Sequence, residues 1–134
     1  MGMDESELKK KLTPEQYRVM RERGTEAPFS GRYVEPNEKG MFVCAACGNE
    51  LFSSDTQFKT NMPELRGWPS FEDAIPGSVE LKTDDSMWMH RTEVLCKKCG
   101  SHLGHIFEDD KETKTGKHYC INSVCLDLKR KAGD

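Results

Sequence analysis

Between Met41 and Leu128 the apolar positions fall in short runs separated by turn residues. Met41-Phe42-Val43, Leu51-Phe52, Ser78 to Lys82, Met87 to Leu95, His102 to Glu108 and His118 to Leu128 each read as strands, the last in two halves around Asn122-Ser123. Runs of this length and spacing predict a mainly β, antiparallel domain. Thr60 to Pro69 reads as a loop, and Thr25 to Gly40, rich in Pro and Gly, as an irregular surface segment. Thr13-Pro14-Glu15-Gln16 opens a short N-terminal helix: Thr13 caps it, Pro14 suits the first helical position, and Gln16 completes a capping box. The helix is expected to reach Arg23 and stop at Gly24. Residues 1–12, polar and charged, are expected to form a disordered leader, 13–128 one domain, and 129–134 a tail.

Composition sharpens this picture. Of 134 residues, 35% are hydrophobic and 32% charged, and the mean hydropathy is −0.76. The core is thin for the length, which favours an added cross-link, either disulfide or metal. Net charge is −3 with lysines and acids interleaved, so nucleic acid is not expected as a partner. No apolar run approaches the ~18 residues of a membrane span. The first residues lack the apolar stretch of a secretory signal, so the expectation is a cytoplasmic protein. No long apolar patch is evident, and a monomer is expected.

Six cysteines are present. Four lie in two near copies, Cys44-x-x-Cys47-Gly48 and Cys96-x-x-Cys99-Gly100. Such a turn aims two thiolates at one point, and the glycine lets the backbone tighten behind them. Two turns supply the four soft ligands of a tetrahedral zinc site, one ion per chain, with no open position for substrate. Local disulfides, redox-active pairs and iron are the alternative readings of the same ligands.

Cys120 belongs to neither pair. Taken alone, a cysteine between Tyr119 and Ile121 is a small buried hydrophobe. Its neighbours suggest more. His118, Cys120 and Asn122 alternate along one strand face. His102 and His105 follow directly on the second Cys-x-x-Cys turn. Imidazole groups beside a thiol can lower its pKa and supply protons to a leaving oxygen.

Several segments resemble the B-type methionine-R-sulfoxide reductases. They are Thr13 to Val19, Gly24-Thr25-Glu26, Pro28-Phe29-Ser30-Gly31, Gly67-Trp68-Pro69-Ser70-Phe71, Arg91-Thr92-Glu93-Val94, His102 to Phe107, and Tyr119-Cys120-Ile121-Asn122-Ser123. The resemblance implies two antiparallel sheets in a tent-like or barrel-like arrangement, and a structural zinc. It implies that Cys120 attacks the sulfur of a methionine-R-sulfoxide, free or protein-bound, and becomes a sulfenic acid. It implies that Trp68 packs on the sulfoxide methyl, that His102, His105 and Asn122 surround the oxygen and the thiol, and that Phe107 and His118 belong to the substrate site.

Three positions depart from the family pattern. Arg66 stands where many members have a second, resolving cysteine. His118 stands where many have Arg. Asp109-Asp110-Lys111 replaces Asp-Gly-Pro. Cys125 is then the spare thiol. On a regular strand it would lie about 16 Å from Cys120, beyond the ~7 Å between Cα atoms that a disulfide allows. The expected reductant is therefore external: a thioredoxin, a glutaredoxin or a small thiol. Two other functional classes remain to be weighed, a non-catalytic zinc module that binds protein, and a metal-dependent hydrolase built on His102, His105 and His118.

Overall fold

The computed structural model describes residues 5–36, 38–85, 91–108 and 110–129. Among the described residues, two short helices precede nine strands: α1 (Glu5–Lys11), α2 (Pro14–Met20), β1 (Met41–Cys44), β2 (Glu50–Ser53), β3 (Gln57–Phe58), β4 (Ser70–Phe71), β5 (Val79–Asp84), β6 (Arg91–Cys96), β7 (His102–Phe107), β8 (His118–Ile121) and β9 (Leu126–Lys129). The strands form two antiparallel sheets, ordered β2-β1-β9 and β3-β4-β8-β7-β6-β5. No helix among the described residues is long and apolar enough to cross a membrane.

The expected leader is in part structured. Residues 5–11 are helical, with Glu5 and Glu7 in the first turn and Lys9, Lys10 and Lys11 in the last, a charge order that suits the helix dipole. Leu8 is wholly buried and Leu12 nearly so, which ties this segment to the domain. Composition hid it because only two apolar residues in the stretch do the anchoring.

The capping box of α2 is present in both directions: Gln16 N–H donates to Thr13 Oγ1 at 3.1 Å, and Thr13 N–H donates to Gln16 Oε1 at 2.9 Å. The helix ends at Met20, three residues before the expected Arg23. Arg23 instead adopts a left-handed backbone, φ 57°, and its guanidinium reaches Glu93 on β6. Past the helix, a tertiary ion pair ties Arg23 to β6.

Aromatic rings fill the space between the sheets. Phe52 stacks on Phe71 with centroids 4.5 Å apart, and Phe42 and Tyr119 meet this pair edge-on at 5.3 and 5.4 Å. Tyr119 and Ile121 point into this core. Strand alternation then sends His118 and Cys120 to the opposite face of the six-stranded sheet.

The final strand region divides as expected. A 3₁₀ turn over Ser123–Cys125 separates β8 from β9, and the two halves join different sheets. The two-residue strands β3 and β4 were not expected; they are too short to show a period. The strand predicted over Met87 to Leu95 is described only from Arg91, since residues 86–90 lie outside the described part.

Candidate functional site

The two Cys-x-x-Cys turns follow β1 and β6. Gly48 and Gly100 both take left-handed backbone, φ 81° and 76°, and return their N–H groups to Cys44 O at 2.8 Å and Cys96 O at 2.7 Å. Cys44 Sγ lies 3.7 Å from Cys99 Sγ, and Cys47 Sγ 3.6 Å from Cys96 Sγ. All four ligand atoms fall within 4.8 Å of one another. A tetrahedron with ~2.3 Å metal–sulfur bonds has edges of about 3.8 Å, so the thiols sit at the corners such an ion requires. Shared hydrogen bonds push Cys44 far up and Cys99 far down, and burial pushes Cys47 up to about 11. The set could hold a metal ion among its four sulfurs.

A β-bulge explains how His102 and His105, three residues apart, face the same side. On β6–β7, Val94 pairs with Gly104 but Leu95 with His102, so Leu103 is the extra residue. Glu93 and Leu95 share a face, and so do their partners His105 and His102. A row then crosses the sheet: Glu93 pairs with His105, His105 with Cys120, and Cys120 with Ser70.

Each histidine of the bulge has its own carboxylate. Glu93 Oε2 lies 2.6 Å from His102 Nδ1, and Asp84 Oδ2 lies 2.8 Å from His105 Nε2. Arg23 links the two acids, meeting both Glu93 oxygens at 3.1 and 3.2 Å and Asp84 Oδ1 at 3.5 Å. Arg91 lies 3.6 Å from Asp84 Oδ2. Burial outweighs the acids and holds both imidazoles below their ordinary pKa. They are therefore neutral at pH 7, each donating one N–H to its carboxylate.

A cavity of about 620 Å³ opens over this row, lined among others by Trp68, Arg91, His105, Phe107, Cys120 and Asn122. Glu26 fixes two of these walls through its backbone. Its carbonyl accepts the Trp68 indole N–H at 3.1 Å, and its N–H donates to Asn122 Oδ1 at 3.0 Å. Asn122 Nδ2 donates in turn to Leu103 O at 3.0 Å. The Cys120 thiol is pushed up to about 12, by burial first and by the Glu26 charge second. This reverses the expected lowering: in the unliganded protein, desolvation dominates over the neutral imidazoles.

His102 and His118 do not line that cavity. His102 borders a neighbouring one with Arg23 and Glu93 and meets His105 edge-on at 5.5 Å. His118 lies on the Cys120 side of the sheet but is wholly buried under Phe58. It is held between Asp110 Oδ2 at 2.7 Å and Ser70 Oγ at 2.8 Å. The expected substrate contact is instead a brace, and two departures from the family pattern, His118 and Asp110, meet in it. The three histidines of the hydrolase reading do not converge as a ligand set. Asp110, Glu112 and His118 do come within 4.8 Å, with both His118 nitrogens already engaged.

Cys125 is wholly buried, its Sγ 3.4 Å from His102 O, and burial raises its pKa well above the ordinary thiol value. The strand does break before it, yet the turn carries the thiol into the core. Sequence reading missed Asp84, Glu93, Arg23 and Glu26 as parts of the site. Glu26 and Glu93 sit within recognisable motifs, which was the available signal. Arg23 and Asp84 gave none, because only the tertiary fold brings them to the histidines.

The SelR domain family model matches residues 12–130. "Peptide methionine sulfoxide reductase MsrB" of Methanosarcina barkeri is 58% identical over 126 residues, 93% of this chain and 85% of that protein. The protein of the same name from Leptospira interrogans is 48% identical over 131 residues, 97% and 96% of the two chains. "Methionine-R-sulfoxide reductase B3, mitochondrial" of Mus musculus is 47% identical over 91% of this chain and 47% of its own length. A domain match over nearly the whole chain, joined to a thiol that faces Trp68, His105 and Asn122, places this protein in the SelR-domain family of MsrB methionine sulfoxide reductases.

Proposed function

We propose that the chain reduces methionine-R-sulfoxide, free or within a polypeptide, with Cys120 as nucleophile. The observation that carries this reading is the single cavity shared by Cys120, Trp68, His105 and Asn122. A sulfoxide sulfur bears a methyl, an oxygen and a longer chain, and a stereoselective site has to sort the three. The Trp68 indole is an apolar wall for the methyl. His105 and Asn122 are the polar side.

The cross-strand pairing of His105 with Cys120 is what supports a proton path between them. His105 donates Nε2–H to Asp84, which leaves Nδ1 as the ring's acceptor. Nδ1 takes the Cys120 proton, and Asp84 stabilises the imidazolium. The thiolate bonds to the sulfoxide sulfur while the imidazolium returns that proton to the oxygen. The oxygen passes to Cys120, methionine departs as the thioether, and Cys120 is left as a sulfenic acid. Two electrons have moved from Cys120 to the substrate. One external thiol then displaces water to give a mixed disulfide, and a second releases Cys120. A thioredoxin, a glutaredoxin or a small thiol fits this role better than the buried Cys125.

Zinc is the ion that suits the Cys44, Cys47, Cys96 and Cys99 set. Four thiolates would close its coordination sphere, so it would supply a cross-link and no reaction chemistry. Free thiols and this ligand set also suit a reducing compartment such as the cytoplasm.

The test is incubation with racemic methionine sulfoxide and dithiothreitol, followed by chromatographic separation of the diastereomers. Loss of the R form alone, absent in Cys120→Ser, is expected. Retention of both forms by folded protein would reject the reading.

A further inference from the structure

Trp68 lines two cavities. One is the Cys120 cavity already described. The second, about 170 Å³, is bounded by Phe29, Phe58, Val34 and Trp68, with Ser70 in its wall. Ser70 is the direct strand partner of Cys120, so the strand in the wall of the second cavity pairs with the strand that carries the thiol. Charged groups form the rim of the second: Arg66, and the Glu35–Lys59 pair at 3.0 Å. An apolar centre within a polar rim is the anatomy of a recognition surface.

Phe29 is the unusual part of that wall. Its side chain is 68% exposed, and its backbone is left-handed, φ 62°, a conformation that bulky residues avoid. Its N–H donates to Gly67 O at 2.8 Å. A Cβ at Gly67 would lie 2.5 Å from Pro28 Cβ, so the Pro28-Phe29 segment is clamped directly against Gly67-Trp68. The fold thus spends backbone strain to keep an aromatic ring in solvent beside the reactive cavity.

We propose that this second cavity is a substrate subsite for an apolar side chain two residues from the oxidised methionine in a polypeptide. This rests on the reductase reading above. Two magnitudes support it. An apolar cavity of roughly 150 Å³ accepts a benzene ring, so this one has room for a single aromatic or branched side chain. In an extended peptide, side chains two residues apart share a face and lie about 7 Å from each other. That is about twice the ~3.5 Å contact distance to one face of a ring, so such a pair can straddle the Trp68 indole.

The test compares acetylated pentapeptides that carry methionine-R-sulfoxide with Phe or Gly two residues away, on either side, in wild type and Phe29→Ala. In wild type, kcat/KM should favour a Phe peptide by about tenfold, through KM. In Phe29→Ala the Phe-to-Gly ratio should fall to near one. Equal kcat/KM for all peptides in wild type would overturn the subsite while leaving the reductase reading intact. A Phe29→Ala variant that loses the same factor on every peptide would also overturn it, as would one whose only change is a raised KM for a thioredoxin reductant. Failure of wild type to reduce any peptide or free methionine sulfoxide would sink both proposals.

Discussion

Asp84 Oδ2 stands 2.8 Å from His105 Nε2, on the histidine that pairs across the sheet with Cys120. This contact assigns the two ring nitrogens: Nε2 donates to the acid, and Nδ1 accepts. In the proposed proton path, neutral His105 is then the form that relieves Cys120 of its proton. Burial holds the His105 pKa below the ordinary 6.5, so activity has an acid limb at lower pH than a solvent-exposed histidine would give. Removing the Asp84 charge takes away an influence that raises this pKa. Asp84→Asn is therefore expected to move the acid limb further down in pH and to cut kcat/KM at pH 7 by about a hundredfold. A kcat/KM profile from pH 4 to 8 reads both effects. An acid limb that stays in place would contradict the assignment.

Cys120 is a protonated thiol at rest, its pKa pushed up to about 12. Alkylation by iodoacetamide at pH 7 should be slow, about a hundredfold or more below a free cysteine, because the thiolate fraction sets the rate. The rate should still be climbing at pH 10. The sign for stability follows. The folded pKa lies above the unfolded value, so this group's contribution is complete below pH 9 and is lost as pH rises through about 12. Mass spectrometry of the alkylated peptide gives the rate. Fast labelling with a midpoint near neutrality would contradict the burial argument.

The sequence pattern located most strands, the capping box, the four-cysteine centre and Cys120, since each depends on local spacing. It missed what depends on register. Nothing in the order of residues announces that Leu103 bulges, yet the bulge is what brings His102 and His105 to one face. Arg23 looks like the end of a helix until Glu93 is found opposite it. His118 fulfils the strand period but not its expected role, because Asp110, eight residues earlier, arrives to hold it. The direction of the Cys120 pKa was misread for a related reason: nearby imidazoles are visible in sequence, while the depth of burial is not.

His118 braces the buried Ser70 and the half-buried Asp110. His118→Ala leaves both without it, at about 1–3 kcal/mol for the buried Ser70 and less, about 1 kcal/mol, for the half-buried Asp110. A total loss of roughly 2–4 kcal/mol is expected in urea denaturation. His118→Ala with Ser70→Ala should recover part of this, since one orphaned group is then gone. No recovery would place the effect elsewhere.

Metal analysis should find one zinc per chain, held by Cys44, Cys47, Cys96 and Cys99. The centre joins the end of β1 to the end of β6, one strand from each sheet. Stripping the ion with a chelator should lower the thermal midpoint sharply and abolish activity through unfolding. Cys99→Ser should behave alike. A chelated protein of unchanged midpoint would argue against a cross-linking ion.

The most direct test of the account is a single turnover without reductant. Wild-type protein is mixed with excess methionine-R-sulfoxide and a sulfenic-acid trap, and the products are counted by mass spectrometry. The account predicts about one methionine formed per chain, with the trap on Cys120 and no Cys120–Cys125 disulfide. A trapped group on any other cysteine, or an internal disulfide in its place, would contradict it.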